Sequence, residues 1–317
     1  MYDELLDHWD LPRPRAIVRA EAGISNDTFF VSSAAGEHVL RLYSHLGVAG
    51  IRFEHEILRR LLDAELPFRV PAPLPTPGAD TVVVDVDSAR NAALFPRIPG
   101  VHLDEDQSEG IARAASAFAT LDLALSAIDR TDSPAPSFSG DLEAVHPAVS
   151  DLAQLEPALG APVMRLVTRA AEIAQPTYAS LPSQLIHGDF AFGNVLILGG
   201  RVRGVLDFEF VGRDVRAMEL AGGLALMVSK RTAGQIWRPY MRGYLSTLPL
   251  DPAEIAALPA LALLHVAIVV VWWTGRWLQH QVPDESVTQH VERALAQERW
   301  LDDHAKEVVA EALLAIS

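Results

Sequence analysis

An α+β protein in two lobes is what the sequence predicts: a small, mainly antiparallel sheet with one helix over residues 1–100, and a large, mainly helical lobe over 101–317. Three observations lead there. Short β-branched and aromatic runs separated by Gly, Asn and Pro fill the first lobe. Ala- and Leu-rich stretches with helical period fill most of the second. Between them, LIHGDFAFGNVLILGGRVRGVLDFEF at 185–210 returns to strand. At 317 residues and 50% hydrophobic content the chain is long and apolar enough for two lobes with a core each.

Residues 1–20 read as a short helix and the Pro-containing loop LPRPR, leading to a first strand. Gly23, Ile24, Ser25, Asn26 and Asp27 make a small polar turn before the apolar run 28–32, and Ala34, Ala35 and Gly36 return the chain through 38–43 as a hairpin. Segment 51–65 places Ile51, Ile57, Leu58, Leu61 and Leu62 on one helical face. The Pro-rich 67–78 is expected to be extended, because Pro fixes φ and removes a donor. Strands 81–86 and 92–98, around the turn 87–91, complete the sheet, and 95–100, FPRIPG, leads out of it.

In the second lobe, 108–128 has strong helix propensity, 131–140 (TDSPAPSFSG) is by composition a loop, and 141–180 supplies one or two helices. After the central stretch, Gly212, Arg213 and Asp214 lead into a helix from Val215. Helices at 232–245, 252–280 and 286–316 follow. Segment 256–275 carries no formal charge over ~20 residues, a length that spans a bilayer. Against a membrane span stand Pro259, His265, the preceding Asp251 and Glu254, and the lack of a second such segment. A central helix buried in a helical lobe has the same composition, and no membrane is expected. Trp273 and Trp277 share a face at helical spacing.

The chemistry concentrates in 185–210. A strand ends in His187, Gly188 and Asp189, a loop runs to Asn194, and apolar strands 195–198 and 202–206, joined by Gly199 and Gly200, lead to Asp207 and Glu209. Carboxylates and a carboxamide at the tips of strands held side by side can converge on a phosphate-bound Mg²⁺. Asp189 and Asn194 reproduce the D-x-x-x-x-N spacing in which Asp is the base toward an acceptor hydroxyl and Asn a metal ligand. Asp207 is the second metal ligand, in the place of the Asp of D-F-G, with Glu209 replacing the Gly. The layout points to phosphoryl transfer.

HGDFAFGN followed by LDFEF resembles the hallmark of the aminoglycoside phosphotransferase, choline kinase and homoserine kinase family, with Leu206 for the usual Ile. The resemblance spans 23–226 in blocks and implies a bilobal protein-kinase-like fold with ATP bound between the lobes. It implies that the turn with Ser25 and Asn26 lies over the ATP phosphates, and that Arg41 of VLRLY contacts them where many members have Lys. Glu56 is then the leading acidic partner of Arg41, with Glu54 the runner-up. The segment 95–100, FPRIPG, is then the hinge whose backbone hydrogen-bonds adenine, with Phe95 and Arg97 its named positions. Glu219, where relatives carry Asp, supports the catalytic loop through backbone near His187, itself structural, and Glu209 is a further support. Relatives often end the first large helix in Leu-His, where this chain has Leu121 and Asp122.

Lys and Arg total 26 against 41 Asp and Glu, a net charge of −15. That disfavours nucleic acid and suits a cationic or zwitterionic substrate, although it serves solubility equally. With no cysteine there is neither disulfide nor thiol chemistry, and the N-terminus has no signal-peptide pattern, so the cytoplasm is the expected compartment. Trp272, Trp273, Trp277, His265 and Arg276 fall where such enzymes draw part of the acceptor pocket. The expected function is ATP- and Mg²⁺-dependent phosphorylation of a small hydroxylated amine or amino acid, with homoserine first; the alternative is a non-catalytic nucleotide-binding pseudokinase. The sequence leaves oligomeric state open.

Overall fold

A computed structural model of the chain describes residues 2–20, 26–44, 46–85, 87–104, 108–129, 141–149, 151–228 and 233–317. The expected loop 131–140 lies outside the described residues. By internal contacts the chain divides into two units, Met1–His102 with Val195–Glu209, and Leu103–Asn194 with Phe210–Ser317.

The first unit is built on a five-stranded antiparallel sheet. Strands β1 (Ala16–Arg19), β2 (Asp27–Ser33), β3 (Gly36–Leu42), β4 (Val83–Asp85) and β5 (Arg90–Pro96) take the order β1-β2-β3-β5-β4. Period-2 alternation turns Phe29, Val31, Leu40 and Leu42 to one face, where they form a core with Leu5, Leu6 and Trp9 from the N-terminal 3₁₀ turn Leu5–Trp9 and with Leu11 just after it. Helix α1 (Val48–Leu62) serves the opposite face, where the His55 ring meets Phe95 edge-on at 5.7 Å. The consecutive burial of Ala92, Ala93, Leu94 and Phe95 in β5 follows from this cover on both faces.

The Pro-rich segment is extended, and its Arg69 pairs with the strand Arg201–Val205: the Arg69 N–H donates to the Arg203 carbonyl and the Val205 N–H to the Arg69 carbonyl, each at 3.0 Å. Strands β6 (Val101–His102), β8 (Val195–Leu198) and β9 (Arg201–Val205) form a three-stranded sheet. Gly199 and Gly200, at φ 60° and 72°, provide the left-handed turn that a two-residue hairpin requires. A division at residue 100 would leave this hairpin wholly with the second lobe. Its pairing with β6 and Arg69 groups it with the first unit instead.

The second unit contains α2 (Ser108–Ser126), α3 (Glu156–Tyr178), β7 (Ser183–Ile186), β10 (Gly212–Val215), α4 (Ala217–Val228), α5 (Ala233–Leu245), α6 (Pro252–Leu278) and α7 (Asp284–Ile316). The expected helix from Val215 begins two residues later, because residues 212–215 pair antiparallel with β7. Helix α5 crosses α2 at Gly243, where a Cβ would come within 2.2 Å of the Ala112 carbonyl oxygen. Helix α6 opens on a capping box between Asp251 and Glu254. It is long and apolar enough to cross a membrane, yet Ile255, Leu258, Leu264 and Val271 are fully buried and the helix packs on α3, α4 and α7.

Candidate active site

In the second unit, β7 delivers the chain to His187, which is fully buried with its ring 5.0 Å from Phe118 in an edge contact. Its Nδ1 accepts from the Asp189 N–H at 3.3 Å, so the ring works as a structural acceptor. Gly188 sits at φ 81°, and a Cβ there would lie 2.9 Å from the Phe210 carbonyl oxygen. Both conditions call for glycine. The Gly188 N–H donates to Glu219 Oε2 at 2.7 Å, so the first helix after β10 anchors the His187–Gly188 peptide, one peptide ahead of the one that joins Asp189. Asn194 Nδ2 donates to Asp189 Oδ2 at 2.9 Å and to the Asp189 carbonyl at 3.0 Å. This fixes the Asp189 carboxylate and turns the Asn194 carbonyl oxygen to the other side of the amide.

The first unit holds the remaining residues. Arg41 is opposite Thr28 in the β2–β3 register, on the face away from Leu40 and Leu42. Its Nη2 contacts Asp207 Oδ1, and its Nη1 lies 3.4 Å from Glu54 Oε1. Asp207 adopts φ 67°, an uncommon state for a non-glycine residue. Burial opposes the Arg41 charge, but Asp207, foremost among its charged neighbours, carries its pKa well above the ordinary arginine value. Glu54 is pushed up to about 7 by burial, against Arg41, with Asp207 and Glu209 adding to the rise. His55 is lowered to about 4 by burial and then by Arg41, so it stays neutral between the Tyr43 hydroxyl and Thr81.

Three expectations are corrected by this geometry. Glu56 is not the partner of Arg41: it bonds Arg60 on its own helix at 2.8 Å, while Glu54 points inward with Ile51, Leu58 and Leu61. Asn26 is a buried strut and not an open phosphate contact, since its Nδ2 donates to Glu209 Oε2 at 2.6 Å and its Oδ1 accepts from the Ser44 N–H at 2.9 Å. Ser25 lies outside the described residues. At the hinge, the Arg97 N–H donates to the Glu37 carbonyl at 3.0 Å, and Phe95, opposite Val39 two residues earlier, points its backbone toward β3 by the same alternation. By the same alternation the Pro96 carbonyl faces away from β3, as the Leu94 carbonyl does where it accepts from the Leu74 N–H at 2.8 Å.

The aromatic residues of α6 divide. Trp272 turns to Phe210 at 5.5 Å and to His146 at 5.1 Å. Trp273 stacks on His290 of α7 at 4.1 Å, with the Arg276 guanidinium 5.3 Å above its ring, and Trp277 bonds Asp284 at 2.7 Å. Trp273 and Trp277 therefore face α7, and Trp272 is the ring near the catalytic stretch. His265 is half-buried against Gly222 on α4, and burial holds it neutral, its pKa lowered to about 4.

Sequence reasoning attached no role to Asp122. It is fully buried and accepts a 2.5 Å hydrogen bond from the Tyr244 hydroxyl. The available signal was an acid within the apolar stripe of α2, between Phe118 and Leu125.

Residues 16–258 match the phosphotransferase enzyme family. A homoserine kinase of Allorhizobium ampelinum is 27% identical over 273 residues, covering 81% of this chain and 79% of that protein. The structure of the microcompartment-associated aminopropanol kinase is similar with a TM-score of 0.76 at 21% identity, over 98% of this chain and 97% of the other. Amicoumacin kinase hAmiN, solved with AMP-PNP, Ca²⁺ and Ami, aligns with a TM-score of 0.67 at 14% identity, over 93% and 96% of the two chains. Fold and motif define a small-molecule kinase of α+β, protein-kinase-like architecture. The chain belongs to the phosphotransferase enzyme family.

Proposed function

We propose that this kinase moves the γ-phosphoryl group of ATP to the hydroxyl of a small amine or hydroxy amino acid, with homoserine the first acceptor to test. The observation that carries this reading is the Asp189–Asn194 pair, in which a carboxylate is oriented by a carboxamide five residues on and by the anchored Gly188 peptide. In the reaction, Asp189 takes the proton of the acceptor hydroxyl as that oxygen bonds to the γ-phosphorus and the bond to the β-phosphate oxygen breaks, releasing ADP.

Among the described residues no group of three or more His, Asp or Glu can hold a metal ion by itself. Mg²⁺ commonly takes one or two side-chain oxygens and the nucleotide phosphates, so the Asn194 Oδ1 and Asp207 carboxylate oxygens fit as hard ligands. When bound, the ion neutralises charge on the phosphates. Arg41 is the basic residue for the same phosphates, with Glu54 orienting it. The adenine edge is assigned to the Pro96 carbonyl and the Ile98 N–H, in place of Phe95 and Arg97. Residues 1–100 with the hairpin serve the nucleotide, and the helical unit serves the acceptor. We propose the cytoplasm as the compartment, since the reaction draws on ATP.

The pseudokinase alternative drew on Arg41 and Glu219. Arg41 is engaged with Asp207 and Glu54, and Glu219 makes the loop-anchoring bond, so both departures have a structural account. The deciding measurement is ADP release with Mg·ATP against homoserine, other hydroxy amino acids, aminopropanol, choline, ethanolamine and several aminoglycosides, with Asp189→Asn as control. Turnover with a hydroxy amino acid supports the reading, turnover with aminoglycosides alone overturns the acceptor class, and nucleotide binding without acceptor-dependent turnover returns the pseudokinase.

A further inference from the structure

Two carboxyl groups lie buried beneath the catalytic loop. Asp122 of α2 is 0% exposed and Glu219 of α4 is 2% exposed. Each is tied to a different part of the loop's support. The Asp122 carbonyl accepts from Gln184 Nε2 of β7 at 2.8 Å, and its Oδ2 accepts from the Tyr244 hydroxyl of α5 at 2.5 Å. Glu219 Oε2 accepts from the Gly188 N–H at 2.7 Å, and its carbonyl accepts from the Tyr240 hydroxyl at 3.3 Å. One oxygen of each carboxyl, Asp122 Oδ1 and Glu219 Oε1, is buried with no hydrogen-bond partner. Two neighbouring carboxylates in such a site cannot both ionise at small cost, so a proton is retained between them.

We propose that Asp122 is a positioning residue for phosphoryl transfer: its carboxyl, fixed by Tyr244, is the protonated member of the buried pair, and its neutrality leaves Glu219 as the anion that anchors the Gly188 amide before Asp189. The proposal rests on the phosphotransferase reading. Burial, and after it the Glu219 charge, push Asp122 well above the usual carboxylate range, against the lowering by Tyr244 and the His187 backbone. Burial raises Glu219 to about 7, against the Gly188 and His187 amides, with Asp214 of β10 adding to the rise. Glu219 therefore loses its charge first as pH falls through about 7, and the anchoring bond to Gly188 weakens with it. Asp122, already neutral, does not change over that range.

The test compares kcat over about pH 5.5 to 8.5 in the wild type, Asp122→Leu, Asp122→Asn and Tyr244→Phe. Hydrogen exchange of the segment containing His187, Gly188 and Asp189 is followed alongside. Asp122→Leu is expected to lower kcat about tenfold or more with KM for ATP unchanged, and to speed exchange in that segment. Asp122→Asn, a neutral isostere, should restore both readings and leave the acid limb of the profile where the wild type has it. A limb that moves down by about one unit or more in Asp122→Asn overturns the proposal, because removing a charge would then have relieved Glu219. Wild-type kcat and exchange in Asp122→Leu overturn it too. Should Asp122→Leu fail to fold, Tyr244→Phe supplies the loss: faster exchange supports the proposal and unchanged exchange sinks it. Exchange needs no turnover, so an inactive wild type would indict the phosphotransferase reading while the exchange result still decides this one.

Discussion

The Arg41 guanidinium of β3 contacts the Asp207 carboxylate across 166 residues of sequence, and Asp207 meets it at φ 67°. A non-glycine residue persists in that conformation when its surroundings over-determine it, and such residues concentrate at functional sites. If Asp207 carries the metal, Asp207→Ala should weaken Mg·ATP binding about tenfold or more, since it removes a charged oxygen ligand. Nucleotide titration by calorimetry reads this directly. An unchanged titration would remove Asp207 from the site.

Glu54 and Glu56 make opposite predictions. Glu54 is buried beside Arg41, whereas Glu56 is part-exposed and paired with Arg60 on the helix surface. Glu54→Gln should therefore impair ATP use, while Glu56→Gln should change stability by no more than about 0.5 kcal/mol. The raised pKa of Glu54 also has a sign. A carboxyl whose folded pKa lies above its unfolded value favours the folded state most at low pH, and that contribution disappears as pH rises through the folded pKa. The rise from 4.5 to about 7 corresponds to about 3 kcal/mol lost between those limits. Urea unfolding at about pH 5 and pH 8 should show this loss in the wild type and a smaller one in Glu54→Gln.

Asp189→Asn should lower kcat by about a thousandfold while Mg·ATP affinity stays within a few-fold, because the base acts on the acceptor. Asn keeps one side-chain oxygen and the backbone carbonyl to accept from Asn194 Nδ2, so the loop contact survives and the loss reads on the chemistry. A comparable loss of ATP binding would make Asp189 a metal residue.

The candidate catalytic stretch is legible because it is local: HGDFAFGN and LDFEF keep Asp189, Asn194 and Asp207 within 23 residues of sequence, from 187 to 209. The hairpin was readable for a similar reason, since two consecutive glycines between apolar runs admit few other turns. Choosing between Glu54 and Glu56 needed helical phase. Glu54 is three residues after Ile51, four before Leu58 and seven before Leu61, which makes it the one acid on the apolar stripe, and that spacing was present in the sequence. Placing the outward-facing backbone groups of segment 95–98 needs hydrogen-bond parity, since Arg97 bonds Glu37 of the neighbouring strand, and that parity depends on strand register. Strand β10 has no apolar run to announce it, only Gly212, Arg213, Asp214 and Val215, and it exists because β7 offers an edge to pair with. The Asp122–Tyr244 pair joins α2 to α5 across 122 residues, so the acid on the apolar stripe of α2 is visible in the sequence but its partner is not.

Acceptor selection can be probed on α6. Trp272 lies against Phe210, whose carbonyl packs on Gly188, and Arg276 is one turn further along the helix and 5% exposed. If the acceptor carries a carboxylate on this side, Arg276→Gln should raise its KM about tenfold or more while leaving KM for ATP alone, and should affect amino alcohols without a carboxylate far less. Equal effects on both acceptor types would assign Arg276 to the packing of α6 against its neighbours.

Gly188→Ala separates positioning from stability most sharply. Alanine at φ 81° is strained whatever space surrounds it, and its Cβ would come to 2.9 Å from the Phe210 carbonyl oxygen, a backbone atom that yields only if the chain on either side moves. The expected loss of stability is about 1 to 3 kcal/mol. The displacement it forces falls on the peptide that donates to Glu219 and precedes Asp189, so kcat should fall further than unfolding alone would produce at a temperature where the variant is fully folded. Thermal melting fixes the first quantity, and kcat measured well below the melting transition fixes the second. A variant with lowered melting temperature but wild-type kcat would mean that the loop positions Asp189 without the Gly188 anchor, and the account of Glu219 as its support would fall with it.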